Sequence, residues 1–272
     1  MTKQNKRKAI GFTIFALVAM TVAAYLSFKS WNDDSVLDYS NLYKISETPE
    51  VAVFADYERT TDKTEQFASL YKQVLEYNKE KFGVEYSKQI AVIFLQWNKR
   101  NEKFFKNRGT SVFVDIDDNK IIMLDYATAP DEVIAKSGVP SELLYKDLFV
   151  HQMEHLVLRY TFSKLNRLQE EGFCMSLPLI ILQKEPSSYT NDDKDYFYPV
   201  LENFENEALQ TLLNDDDLTH KNASMVLFYF INKKYPQYLR DLLEVSTVYS
   251  FLDSHPKVNS DFYNWKNSLL VK

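Results

Sequence analysis

Two short stretches decide how this chain reads: Leu148-Phe-Val-His-Gln-Met-Glu-His-Leu-Val-Leu158 and, after a polar break, Leu168-Gln-Glu-Glu-Gly-Phe173. The first lies in a predicted helix that starts at Ser141 and carries Leu144, Leu148 and Leu158 on its apolar side. Residues four apart on a helix lie one turn above each other, so His151 and His155 share a face. Two ring nitrogens there can converge on one metal ion, provided a third ligand arrives from another element. Glu171 is the candidate. It follows His155 at a distance that lets the first helix end, the chain turn near Ser163 to Asn166, and a second helix return a carboxylate. Glu170 competes for the same role. Two hydrogen-bonded core histidines would explain the spacing without any ion.

Working outward, the residues before this pair alternate strand and helix signals. Val51 to Tyr57 and Gln89 to Leu95 are apolar β stretches, and they enclose a helix from Thr61 to Phe82 whose Phe67, Leu70, Tyr71, Val74 and Leu75 recur at helical spacing. Gly83 stops that helix. Ser111 to Asp115 and Lys120 to Tyr126 form a hairpin across Asp117-Asp118-Asn119. From Ser141 onward the pattern is helical to the end, with turns at Pro186, Asp215-Asp216-Asp217 and Pro236. The class is therefore α+β: a small mixed or antiparallel sheet followed by a mainly helical C-terminal half.

The N-terminus carries a different signal. Ala9 to Phe28 contains no charged residue and is long enough to cross a hydrocarbon core, with Lys3, Lys6, Arg7 and Lys8 before it and Asp33 and Asp34 after. The basic flank predicts a cytoplasmic N-terminus and a single-pass anchor in the cell membrane over residues 9–28, with the rest extracytoplasmic. Val22-Ala23-Ala24 leaves a cleaved signal peptide open as the alternative. Residues 1–30 are thus tail and anchor, 31–50 a polar linker, and 51–272 the working domain. With 272 residues, 45% of them hydrophobic and only five glycines, the chain can bury a sizeable core. A net charge of −6, with no basic run beyond the N-terminus, gives no footprint for a nucleic-acid partner. Cys174 is the single cysteine, so no disulfide can form within the chain.

His-Gln-Met-Glu-His followed by Leu-Gln-Glu-Glu-Gly-Phe resembles the gluzincin zinc metallopeptidases, whose signature is H-E-x-x-H and then an acidic Glu-Gly on the next helix. The hairpin ahead of it, the later helix His220 to Tyr235 and the closing Phe262 to Leu269 look like parts of that family's short, membrane-attached bacterial members. The resemblance implies a zincin-like fold over 51–272, a zinc ion (Zn2+) held by His151, His155 and Glu171, and a polypeptide substrate. It also implies an edge strand near Ile121 to Leu124 that receives an extended peptide.

This chain departs from that pattern where the chemistry is done. The family's general base is the Glu after the first His, and here that position is Gln152, whose amide cannot take a proton from water. Glu154 also satisfies the inverted signature H-x-x-E-H, but lies on the opposite flank of the helix from position 152. After Glu-Gly, where relatives place a carboxylate that orients a ligand, the chain has Phe173, Cys174 and Met175. Cys174 reads as a buried apolar residue, and His220, at the start of a later helix, as either a surface residue or an oxyanion-stabilising one. The expectations are a peptidase of reduced or no activity, or an inactive relative that binds peptides or a partner protein. A tethered protein with no metal is the third.

Overall fold

The computed structural model describes residues 41–58, 62–106, 112–130, 141–162, 165–183, 218–245 and 248–270. The anchor expected at 9–28 and the turns expected at Pro186 and Asp215 to Asp217 lie outside them. Among the described residues, no helix is long and apolar enough to cross a membrane.

The first half builds a five-stranded mixed sheet. Its strands are β1 (Tyr43–Glu47), β2 (Val51–Ala55), β3 (Ile90–Gln96), β4 (Val112–Asp115) and β5 (Lys120–Asp125), in the spatial order β1-β2-β3-β5-β4. β2, β3 and β5 run parallel, and the outer pairs β1/β2 and β4/β5 are antiparallel. A parallel pair needs a crossover, which α1 (Thr64–Phe82) supplies between β2 and β3. Gly83 ends α1 in the left-handed region at φ 69°, its N–H reaching back to Lys79 O, as the sequence predicts. The helix starts later than expected, behind Asp62, whose side chain accepts from Thr64 N at 2.8 Å.

Two expectations about the sheet need correction. Residues 31–50 read as linker, yet Tyr43–Glu47 is a strand paired along β2. Its Tyr-Lys-Ile-Ser-Glu sequence is mostly polar because an edge strand buries little. Ile121 to Leu124 is not an edge either: β5 lies between β3 and β4, and β4 is the edge. The unbroken apolar run of β5 reflects that position, since a strand covered on both faces has no solvent side on which to alternate.

The two faces are covered unequally. Val51, Val53, Val92, Phe94, Ile121 and Met123 point into the main core beneath the long helices. The alternate residues Ile93, Leu95, Ile122 and Leu124 meet Phe104 and Phe105 of α2 (Lys99–Lys106), a short charged helix that the sequence pattern did not predict.

Helix α3 (Ser141–Thr161) lies along β4 and β5 and packs against α1, with the Phe67 and Phe149 rings stacked at 4.7 Å. Its first turns are pinned through Asp125, the buried last residue of β5, which accepts from the hydroxyls of Tyr145 in α3 and Tyr57 after β2. After a break, α4 (Arg167–Ile181) begins at Asn166, whose side chain caps Leu168 N at 2.9 Å. α5 (Leu218–Lys234) packs on α4, its Phe228, Tyr229 and Phe230 forming core. A 3-10 turn at Pro236–Tyr238 leads to α6 (Leu239–Glu244), α7 (Val248–Ser254) and α8 (Pro256–Leu270).

Candidate metal centre

α3 and α4 bring together the three side chains that the sequence set apart. One ligand atom from each of His151, His155 and Glu171 lies within 4.8 Å of the others, the one such group among the described residues. The two Nε2 atoms are 3.1 Å apart, and Glu171 Oε2 lies 3.8 Å from that of His151 and 3.9 Å from that of His155. A tetrahedral ion with bonds of about 2.0–2.1 Å holds its ligand atoms about 3.3 Å apart, a spacing that the triangle would reach with a shift of about half an ångström by the carboxylate.

The tautomer suits the same ion. His155 Nδ1 sits 2.7 Å from Glu170 Oε1, and in the tautomer with its ring proton on Nδ1 that N–H donates a hydrogen bond to the carboxylate. The Nε2 lone pair is then left facing His151 and Glu171. Two imidazoles and one carboxylate would leave a fourth position of such an ion open, a donor set like that of catalytic rather than closed structural zinc sites. The His151 and Glu171 side chains are 19% and 23% exposed, so the triangle opens to solvent on their side, while His155 is its buried corner.

Of the pair Glu170-Glu171, one joins the histidines in this group. Successive residues on a helix diverge by about 100°, and only Glu171 turns towards both Nε2 atoms. Glu170, buried at 4% exposure, lies behind His155 and also accepts from Arg159 Nε at 2.7 Å. Burial alone pushes the Glu170 carboxyl up, but the hydrogen bonds from His155 and Arg159 outweigh it and hold the group below its ordinary value. After Gly172, where the resembled family places an orienting carboxylate, this chain has Phe173, Cys174 and Met175. The orienting group precedes the glycine instead.

The remaining candidates fall away from the triangle. Glu154 is 0% exposed and directed at α1, where Asn78 Nδ2 donates to its Oε2 at 2.7 Å. Burial pushes it up to about 8 against that single opposing hydrogen bond. A carboxyl closed off from solvent cannot collect a proton from water on the histidine face, so the placement assigns Glu154 to the packing of α3 on α1. Gln152 is buried at 7% exposure beside His151. Cys174 is fully buried, and burial holds its thiol well above the ordinary range, leaving it a small neutral core residue. His220 falls in the first turn of α5, with its side chain outside the described residues.

Gly172, next to Glu171, has a packing reason. A Cβ there would meet Ser224 Oγ of α5 at 2.0 Å and Ser224 Cβ at 2.5 Å. The glycine lets α5 press against α4 directly behind the ligand-bearing turn. No family model matches the chain, and no curated protein is similar to it.

Proposed function

We propose that this chain is a membrane-attached, gluzincin-like zinc protein that engages polypeptides outside the cytoplasm and hydrolyses them slowly or not at all. The reading is carried by the convergence of His151, His155 and Glu171 within 4.8 Å, with neither adjoining glutamate left over as a base. Glu170 is committed to His155 and Arg159, and Glu154 is closed into the core. Position 152, where such a site needs a carboxylate, holds an amide.

Zinc held by these residues supplies a Lewis acid for a carbonyl oxygen and lowers the pKa of water towards about 7. The loss of a general base still costs typically about 10²–10⁴-fold in rate, which supports binding over turnover. Support for an extended polypeptide ligand comes from β4, the sheet edge beside α3 among the described residues. Membrane attachment rests on the uncharged segment 9–28 and its basic flank. A second reading, a working peptidase, draws on the partial exposure of His151 and Glu171, which leaves a fourth position approachable.

Zinc content of the purified full-length chain tests the site. One ion per chain is expected, and it is lost in His151→Ala. A chain without metal rules out both readings. With zinc bound, Gln152→Glu separates them: hydrolysis of an unfolded protein that appears only in this variant marks the native chain as a binding relative, and hydrolysis by the native chain marks it as a peptidase.

A further inference from the structure

Arg159 follows His155 by one helical turn on α3, and both side chains end on the same atom. His155 Nδ1 and Arg159 Nε each lie 2.7 Å from Glu170 Oε1. One oxygen brought in by α4 therefore receives two donors from successive turns of α3. We propose that Arg159 is a positioning residue of the metal centre: it holds Glu170 where Glu170 fixes the His155 ring, and so sets how tightly the site takes zinc. The proposal rests on the reading of His151, His155 and Glu171 as ligands.

The physical argument starts from the freedom of a glutamate. Its terminal torsion is broad, so a carboxylate with a single partner can rotate and carry that partner with it. A guanidinium presents its N–H groups in a rigid plane, and a second donor of this kind leaves Oε1 one position that satisfies both. The imidazole then has a fixed ring plane and a fixed tautomer, with Nε2 aimed at Glu171 and His151.

An ordinary surface ion pair is the competing account, and it predicts no effect on metal. Two observations weigh against it. The carboxylate is buried, with its side chain at 5% exposure, whereas surface pairs join two solvated groups. The oxygen that Arg159 grips is also the one that His155 uses. Arg159 itself is half exposed and lines an open groove of about 320 Å³ with Tyr86, Lys88 and Tyr160, so shortening it leaves the core in place.

The test measures zinc affinity by chelator competition, and the absorption spectrum of the cobalt-substituted form, for the full-length wild type, Arg159→Ala, Glu170→Ala and the double variant. Arg159→Ala is expected to bind zinc about tenfold to a hundredfold more weakly and to shift the cobalt bands, the size usual for losing a group that orients a metal ligand. The double variant should bind no more weakly than Glu170→Ala alone, because Arg159 acts only through Glu170. Affinity within about twofold of wild type together with an unchanged cobalt spectrum overturns the proposal, as does a double variant whose loss is the product of the two single losses. Should Arg159→Ala fail to fold, Arg159→Gln is held to the same criteria. A wild type that takes up neither zinc nor cobalt removes the ligand reading itself, whereas a metal-loaded wild type with an indifferent Arg159→Ala removes only the positioning role.

Discussion

Three glutamates, one on α3 and two on α4, meet three environments. Glu171 is partly solvated and faces two imidazoles, Glu170 is buried between two N–H donors, and Glu154 is buried with one. For Glu154 this has a consequence for stability. Its folded value of about 8 lies above the ordinary 4.5, so the unfolded chain gives up the proton first. Its contribution is therefore full below about pH 4.5 and is lost as the pH rises through about 8, a loss on the order of a few kcal/mol. Glu154→Gln keeps the partner Asn78 without the proton. Urea denaturation at pH 5 and pH 8 should show a smaller fall in stability for this variant than for wild type; an equal fall would place the titration elsewhere. Helical geometry alone had put Glu154 on the flank opposite position 152. That it ends in the core, and that Glu171 rather than Glu170 meets the histidines, depends on where α1 and α4 lie.

At the scale of elements, the helix that carries Glu171 is held from behind by a contact that tolerates no side chain. Adding a methyl group at Gly172 puts it 2.5 Å from Ser224 Cβ, so α4 and α5 must separate. Gly172→Ala is expected to lose about 1–3 kcal/mol of stability, the usual cost of overpacking. Ser224→Gly in the same chain should recover part of it in chemical denaturation; additive losses would mean the two residues do not meet. The glycine was visible as half of a Glu-Gly pair, but its reason was not, since α5 follows it only after a long interval of chain. The sheet was legible in the same uneven way. Apolar runs marked β2, β3 and β5, while β1 and α2 went unseen because an edge strand and a short charged helix bury too few residues to leave a pattern.

For the whole molecule, the candidate site ties two successive helices together. His151 and His155 come from α3 and Glu171 from α4, so the three ligand atoms meet only in the folded chain. An ion that binds the native state alone stabilises it by mass action, by about 2.7 kcal/mol at a hundredfold excess over its dissociation constant. The midpoint of thermal unfolding should therefore rise with added zinc and fall with a chelator, and should not respond to either in His151→Ala. A midpoint indifferent to zinc in the wild type would mean no native-state site. The sequence by itself determined what depends on neighbours along the chain: helix and strand periods, the stop at Gly83, the strands-first α+β order, and two imidazoles one turn apart on one face. The tertiary structure decided what depends on elements distant in sequence. It chose Glu171 as the third corner and Glu170 as the partner of His155, it enclosed Glu154, and it put β4 rather than β5 at the sheet edge. The direction of a side chain in space needs the placement of its whole element, and that placement is set by packing between segments whose order along the chain carries no distance.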